Sequence, residues 1–144
     1  MLYDELMEHA SPLAIFVAAV LAFGLGAIWY SPLMFLKSWA ASNQIDIVAR
    51  KRNPMPPAQT ARIFGTGFVF TLIAAIAFSC FVGAQPELKM ALKTAANIGF
   101  CFVAACFGIN YQFTNKPLSL WLIDGGYHFC QFMIYALVFG LWPH

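Results

Sequence analysis

The sequence predicts an all-α integral membrane protein, a four-helix bundle with both termini on the same, outer side of the membrane. Of its 144 residues, 61% are hydrophobic and 10% are charged, whereas a soluble domain carries about 45–50% apolar and about 25% charged residues. Four apolar stretches are each long enough to cross about 30 Å of hydrocarbon at about 1.5 Å per helical residue. The Lys and Arg residues cluster on one side of these stretches, which indicates the orientation. We expect one transmembrane domain over residues 1–144.

The first apolar stretch predicts span 1, at about 12–31, and it contains no charged residue. Ser11 and Pro12 mark its start, because a capping hydroxyl and a proline at the first helical position both favour helix N-termini. Pro32 should end the span, because proline disfavours a continuing helix. The residues before span 1 are acidic and its apolar run is long, unlike those of a cleaved signal peptide. We therefore expect span 1 to remain as a membrane anchor.

A loop at about 38–59 separates span 1 from span 2, which we predict at about 60–84. Three prolines within 54–57 should keep the end of this loop extended, and Pro86 should close span 2. Segment 33–39 should lie at the membrane interface. Three aromatic residues are expected at the level of the lipid headgroups: Trp29, Tyr30 and Trp39.

Spans 3 and 4 are predicted at about 90–112 and about 117–142. The intervening turn, 115–117, is short and contains proline, so these spans should form an antiparallel hairpin. Small residues recur at every fourth position, which lets helices approach closely in lipid. The series are Ala14, Ala18, Ala22 and Gly26 on span 1, Gly67, Thr71, Ala75, Ser79 and Gly83 on span 2, Ala91, Ala95 and Gly99 on span 3, and Ala136 and Gly140 on span 4. We expect spans 1 and 2 to touch along most of their length.

The positive residues indicate orientation, because Lys and Arg stay on the cytoplasmic side of a bacterial membrane protein. On the side of the loop between spans 1 and 2 they are Lys37, Arg50, Lys51, Arg52, Arg62 and Lys116; on the other side they are Lys89 and Lys93. Both termini should therefore face outward and the loop should be cytoplasmic. The cluster Arg50, Lys51 and Arg52 should contact anionic lipid headgroups or serve only to set the topology.

Span 4 carries the ionisable residues of the membrane region, and such residues mark a candidate functional site. Asp124, His128 and Gln131 share one helix face, and Tyr127 lies beside them. Asp124 should lie roughly 9 Å, and His128 about 15 Å, from the cytoplasmic end of the span. The set would bind a proton, a metal or a polar ligand head; alternatively, Asp124 and His128 satisfy each other and only lock span 4 against its neighbours. Asn97 of span 3 should hydrogen-bond Gln131 across the hairpin.

No catalytic residue, metal site or cofactor is expected. One His and one Asp fall short of a usual metal-ligand set, and a haem would rest on His128 alone. No nucleophile–base pair, Gly-rich phosphate loop or HExxH motif occurs, which disfavours an enzyme. The net charge of +2 and the absence of a long basic run disfavour a nucleic-acid partner. Four cysteines, expected to be free, buried, small hydrophobes without zinc spacing, are Cys80, Cys101, Cys106 and Cys130.

Two stretches resemble a known family. The segments GAIWYSP at 26–32 and LWLIDGGYH at 120–128 are similar to signatures of DUF1761, a family of small bacterial four-span membrane proteins of unknown function. The resemblance covers nearly the whole chain and implies a multi-pass protein of the bacterial inner membrane, with no assigned activity. The residues it singles out are Trp29, Tyr30, Pro32, Trp121, Tyr127 and His128. Segments 29–30 and 121–124 both fall toward the cytoplasmic side, so one aromatic-lined site can form between spans 1 and 4.

Three functions remain open at this point. The first is a non-enzymatic bundle that acts as an accessory subunit or binds a small lipophilic ligand near the cytoplasmic leaflet. The second is a transporter or proton-conducting oligomer that uses Asp124 and His128. The third is a membrane enzyme with a single acid/base pair. The lipid bilayer is the expected partner in each case, with a homo-oligomer or a larger membrane complex as the open alternatives.

Overall fold

A computed structural model of the chain describes residues 11–143. These residues form helices and no strands. The all-α prediction is confirmed, since four helices are long and apolar enough to cross a membrane. Span 1 is Pro12–Trp29, span 2 is Pro57–Val82, span 3 is Leu88–Phe113 and span 4 is Leu118–Leu141. Two short helices, Leu36–Ser42 and Ile47–Arg52, lie between spans 1 and 2.

The ends of span 1 follow the local signals in the sequence. The Ser11 side chain caps the helix by accepting a hydrogen bond from the backbone N–H of Ala14 at 3.4 Å. At the other end the helix stops at Trp29, and the chain turns through Ser31 before Pro32. A turn and the helix Leu36–Ser42 follow, which places the predicted interfacial segment beside the end of span 1.

Both ends of span 2 lie before the positions predicted from the sequence. Span 2 begins at Pro57, because proline at the first helical position lacks only an N–H that the helix would leave unpaired. It ends before Gly83, whose φ of 81° breaks the helix ahead of Pro86. The loop also holds an unpredicted helix, Ile47–Arg52. Asp46 starts it by accepting hydrogen bonds from two backbone N–H groups at 2.8 and 3.0 Å.

Span 4 is the centre of the bundle. Half of its apolar window is buried, against about a fifth in each of the other spans. It packs along both span 1 and span 3, while span 2 lies mainly against span 1. The expected contact between spans 1 and 2 is present and includes edge-to-face pairs of Phe23 with Phe64 and Phe68. Nevertheless, span 1 makes its more extensive contact with span 4.

Small residues form the helix interfaces, as the spacing predicted. Ala14, Ala18 and Ala22 are buried on span 1, and Ala91 and Ala95 are buried on span 3. On span 2 the buried members are Thr71, Ala75 and Ser79. One cluster of bulky buried side chains lies away from the loop: Phe78, Phe132, Tyr135 and Phe139.

The middle of span 3 is a π-helix, Asn97–Ala104, which nothing in the sequence predicted. Such segments are rare and widen the helix locally. Gly99 lies within it, so close to span 4 that an added Cβ would be 3.0 Å from the Phe129 Cα atom. The absence of a side chain at this position therefore sets the distance between spans 3 and 4.

The cysteines are free as expected, but the expectation that they are buried is wrong. Cys80, Cys101 and Cys106 are exposed, and Cys130 is half-buried. Their apolar surroundings in the sequence reflect the lipid-facing sides of the spans, because a membrane protein presents apolar residues outward as well as inward.

Candidate functional site

Asp124 joins three parts of the bundle at its loop end, the end that carries segments 30–56 and 114–117. The side chain is 7% exposed. The Tyr30 hydroxyl, just beyond span 1, donates to one carboxylate oxygen at 2.7 Å. The Tyr111 hydroxyl, near the end of span 3, donates to the other oxygen at 2.6 Å. Two phenols therefore satisfy both oxygens of a buried carboxylate, which would be costly to leave unpaired.

Tyr30 keeps its proton in this arrangement. Burial of the phenol, its hydrogen bond to Asp124 and the nearby carboxylate charge together raise the pKa of Tyr30 above its usual value. A tyrosine with a raised pKa stays neutral over the physiological pH range, so Tyr30 remains a hydrogen-bond donor to Asp124.

Aromatic residues connect span 1 to span 4 next to Asp124. The Trp29 indole N–H donates to the Ile123 carbonyl at 3.0 Å. Tyr30 and Tyr127 pack edge-to-face with ring centroids 5.4 Å apart, and the Tyr127 hydroxyl donates to the Ala22 carbonyl at 3.3 Å. Aromatic side chains therefore line the contact between spans 1 and 4. Gly26 allows this close contact, since a Cβ at that position would be 3.1 Å from the Tyr127 hydroxyl.

His128 belongs to a second network, deeper in the bundle. Its Nδ1 atom lies 2.7 Å from the Gln131 side-chain oxygen. The Gln131 amide N–H donates to the Tyr135 hydroxyl at 2.6 Å, which donates in turn to the Thr71 carbonyl of span 2 at 2.8 Å. The imidazole stacks on Phe107 of span 3, with centroids 4.9 Å apart. His128 is therefore held by Gln131 of its own span and Phe107 of span 3, and the bonds of Gln131 and Tyr135 link it to span 2.

Two predicted pairings are wrong. Asp124 and His128 do not satisfy each other, because Tyr30 and Tyr111 occupy the carboxylate while Gln131 binds the imidazole. Asn97 does not reach Gln131: it is exposed, and its amide N–H donates to the Lys93 carbonyl of its own helix at 2.9 Å. This local bond satisfies the Asn97 amide without a partner helix.

Trp121 lies apart from the other aromatic residues singled out by the sequence. Its indole N–H donates to the Ala104 carbonyl of span 3 at 2.7 Å, and its ring lies against Gly108 and Gly125. Trp121 also lines a cavity of about 230 Å³ on the face of spans 3 and 4. It therefore packs span 3 onto span 4 and does not line the contact with span 1.

Two further cavities lie mainly between spans 1, 2 and 4, with Val103 of span 3 at the deeper one, and we call them together the lateral cavity. The deeper part, about 410 Å³, extends past Gly67 and Thr71 to His128 and Gln131. The part nearer the loop end, about 380 Å³, is lined by Phe23, Gly26, Ala27, Tyr30, Phe64 and Tyr127. Phe23 and Tyr127 line both parts, so the two adjoin. Of the predicted site residues, Tyr30, Tyr127, His128 and Gln131 line this space.

The basic cluster lies outside this site. Arg50, Lys51 and Arg52 form the last turn of the short loop helix, and all three are exposed. No group of three or more His, Cys, Asp or Glu residues that could hold a metal occurs among residues 11–143.

A family model described as Protein of unknown function (DUF1761) matches residues 13–140. The chain belongs to the DUF1761 family. The match spans both segments whose resemblance to the family was noted in the sequence. No curated protein and no solved structure matches the chain.

Three members of the site of this DUF1761 protein were not predicted from the sequence. Tyr111, Tyr135 and Thr71 complete the hydrogen-bond networks of Asp124 and Gln131. The contact of Tyr135 with Gln131 could have been predicted, because Tyr135 follows Gln131 by four residues and therefore lies on the same helix face. Tyr111 and Thr71 lie on other spans, and their rotation toward span 4 is a tertiary property.

Proposed function

We propose that this DUF1761 protein is a non-enzymatic membrane bundle that binds a small lipophilic molecule in the lateral cavity. The observation that carries the proposal is the cavity itself: two adjoining parts of about 410 and 380 Å³. Binding sites for small molecules have volumes of about 300–1,000 Å³, with mostly apolar walls and a few placed polar groups. The lateral cavity has this character.

The surroundings of the cavity support entry from the bilayer. Phe64 and Phe70 of span 2 line it, yet they remain 57% and 66% exposed. In a protein whose sides face hydrocarbon, such exposed phenylalanines lie toward lipid tails. A molecule dissolved in the bilayer would therefore reach the cavity without crossing water.

The location and partners belong to the same proposal. Six Lys and Arg residues on the side of the loop against two on the other support a cytoplasmic loop and outward termini in a bacterial inner membrane. The part of the cavity lined by Tyr30 would then lie toward the cytoplasmic leaflet. The exposed cluster Arg50, Lys51 and Arg52 would contact anionic headgroups there. Service as an accessory subunit of a larger membrane complex is compatible with this role.

The geometry favours binding over proton conduction. A conducting oligomer that used Asp124 and His128 would need a proton path between them. Both oxygens of Asp124 accept from tyrosines, whereas His128 is bonded to Gln131. The two residues thus belong to separate networks. Of the two, only His128 borders the lateral cavity.

The experiment compares two glycines of span 2, one that lines the cavity and one that does not. Gly67 lines the cavity, and a Cβ there would be 3.6 Å from the Phe23 ring, whereas a Cβ at Gly65 would meet nothing within 4 Å. Gly67→Leu should fill the deeper part of the lateral cavity, which Gly67 lines, and Gly65→Leu is the matched control. We expect the wild type and Gly65→Leu in lipid nanodiscs to bind 4-hexylanisole, after correction with empty nanodiscs, and Gly67→Leu to bind it at least tenfold more weakly.

Native mass spectrometry of the same preparations from mild detergent would report any apolar molecule that copurifies. The proposal predicts that such a molecule is retained by Gly65→Leu and lost from Gly67→Leu. It would be overturned if the wild type bound no 4-hexylanisole, or if both leucine variants bound it as the wild type does.

A further inference from the structure

The protonation of His128 can be deduced from the hydrogen bonds that end at the backbone of span 2. The Thr71 carbonyl can only accept, so the Tyr135 hydroxyl must donate its single hydrogen there. The Tyr135 oxygen is then the acceptor for Gln131, which must present its amide N–H. The Gln131 carbonyl oxygen consequently faces His128 Nδ1 at 2.7 Å. Because that oxygen can only accept, Nδ1 must carry a hydrogen.

A neutral imidazole carries one N–H, so a hydrogen on Nδ1 leaves Nε2 as a hydrogen-bond acceptor. No protein group in the described part of the chain bonds to Nε2. Within residues 11–143 no fully buried polar side-chain atom lacks a partner, so Nε2 retains accessible surface. His128 lines the deeper part of the lateral cavity, and its stacking on Phe107 holds the ring in place.

The other polar side chains of the deeper part already donate to the protein. The Thr71 hydroxyl donates to the Gly67 carbonyl at 2.9 Å, and the Tyr127 hydroxyl donates to the Ala22 carbonyl. The Gln131 amide donates to Tyr135. This part of the cavity therefore presents an unpartnered acceptor, His128 Nε2, whereas both of its hydroxyl hydrogens and one hydrogen of the Gln131 amide are already engaged.

We infer that the ligand of the lateral cavity is a lipophilic alcohol or phenol, whose hydroxyl donates a hydrogen bond to His128 Nε2. This inference rests on the proposed function and specifies its ligand class. An uncharged hydroxyl supplies the donor that Nε2 lacks, while the alkyl or aryl part fills the space between the apolar walls. A fatty acid fits poorly, because its carboxylate would lie against the Nε2 lone pair, and burying a charge that is not fully paired is costly.

Three probes of matched shape test the inference in nanodiscs, again corrected for partition into empty nanodiscs: 4-hexylphenol, 4-hexylanisole and 4-hexylbenzoate. The wild type should bind the phenol about fivefold more tightly than the anisole, the size expected for one net hydrogen bond. It should bind the benzoate more weakly than the anisole. His128→Phe should bind phenol and anisole equally, because the acceptor at Nε2 is lost while an apolar ring of similar size remains.

Leu122→Ala is the control on span 4, because Leu122 is 60% exposed and lines the separate cavity on spans 3 and 4. It should keep the preference for phenol. A second measurement needs no variant: ¹⁵N NMR of histidine-labelled protein should show His128 protonated at Nδ1. If His128→Phe did not fold, the tautomer of His128 and the ratio of phenol to anisole affinity in the wild type would test the inference.

The outcomes separate the two proposals. Equal affinity for phenol and anisole in the wild type, or an Nε2–H tautomer, would overturn the inference and leave the lipophile-binding role intact. A preference for phenol that persists in folded His128→Phe would also overturn it. Binding of none of the three probes would remove the proposed function itself.

Discussion

Asp124 joins residues that the chain keeps far apart. Tyr30 is 94 positions and Tyr111 is 13 positions from it in the sequence. The carboxylate lies near the loop end of span 4, and its two hydrogen bonds connect the ends of spans 1 and 3 there. A charged acceptor makes such bonds stronger than those between neutral groups, and a lost partner would leave a buried carboxylate oxygen unsatisfied.

Tyr111→Phe should therefore destabilise the protein by about 1–3 kcal/mol. The ring is retained, so the loss isolates the hydrogen bond to Asp124. Reversible unfolding by denaturant in mixed micelles measures the free energy. Tyr127→Phe is the matched control, and we expect a smaller loss, because its hydroxyl donates at 3.3 Å to a neutral carbonyl.

A double-mutant cycle makes this prediction specific. In an Asp124→Leu background the Tyr111 hydroxyl has no carboxylate to bind, so Tyr111→Phe should cost close to nothing there. An equal cost in both backgrounds would mean that Tyr111 stabilises the bundle through its ring contacts and not through Asp124.

The sequence identified the polar residues but paired them incorrectly. A carboxylate in an apolar run is conspicuous, so Asp124 was predictable. On a helix, however, His128 is equally able to meet a residue four positions before it or three positions after it. The choice of Gln131 depends on Tyr135 beneath it and on Tyr30 and Tyr111 around Asp124, and these neighbours are set by tertiary packing.

Among the elements, span 3 departs most from its sequence pattern. Its apolar run predicted a plain helix, but Asn97–Ala104 is π-helical. The competition between α and π hydrogen bonding is decided by the fit against span 4, where Gly99 approaches the backbone of Phe129. Single-chain periodicity contains no information about that fit. Caps, prolines and small-residue series were predictable because they act within one helix or at its surface.

Gly99→Ala should destabilise the protein by about 1–3 kcal/mol, because its Cβ would meet a backbone atom that cannot move aside alone. Gly24→Ala is the control on span 1, where an added Cβ would meet nothing within 4 Å. That change should be neutral or stabilising by about 0.5–1 kcal/mol, since alanine favours helix. Unfolding free energies of the two variants give the comparison. If both behaved alike, the close approach of spans 3 and 4 would be refuted.

The loop helix Ile47–Arg52 offers a second test on the scale of one element. Its three basic residues are exposed at one end, and each basic residue near an anionic membrane surface contributes about 1 kcal/mol. Replacing Arg50, Lys51 and Arg52 by Gln should reduce the phosphatidylglycerol retained in native mass spectra. Lys89→Gln with Lys93→Gln, in the first two turns of span 3, is the control and should retain more. Equal losses would leave the cluster with a topological role alone.

On the scale of the whole molecule, the four spans were predictable because a membrane imposes length and apolarity on each helix separately. The arrangement of the spans relative to one another was less predictable. Small-residue spacing indicated that spans 1 and 2 touch, but span 4 carries the bulky core residues Phe132, Tyr135 and Phe139 and is the most buried. Polar residues on span 4 bond to every other span or its flanking turn. A helix with such residues is best placed where all its neighbours can satisfy them, which explains its central position.

The orientation of the bundle in the membrane is predicted by the distribution of charged residues. The helices themselves do not determine it. With six basic residues on the loop side and two on the other, the loop should be cytoplasmic. In a background with all four cysteines replaced by alanine, Asn53→Cys and Glu87→Cys place one thiol on each side. A membrane-impermeant maleimide should label Glu87→Cys in intact bacterial cells, and Asn53→Cys only after permeabilisation. The reverse pattern would place the termini in the cytoplasm, and the part of the lateral cavity beside Tyr30 would then open toward the outer leaflet.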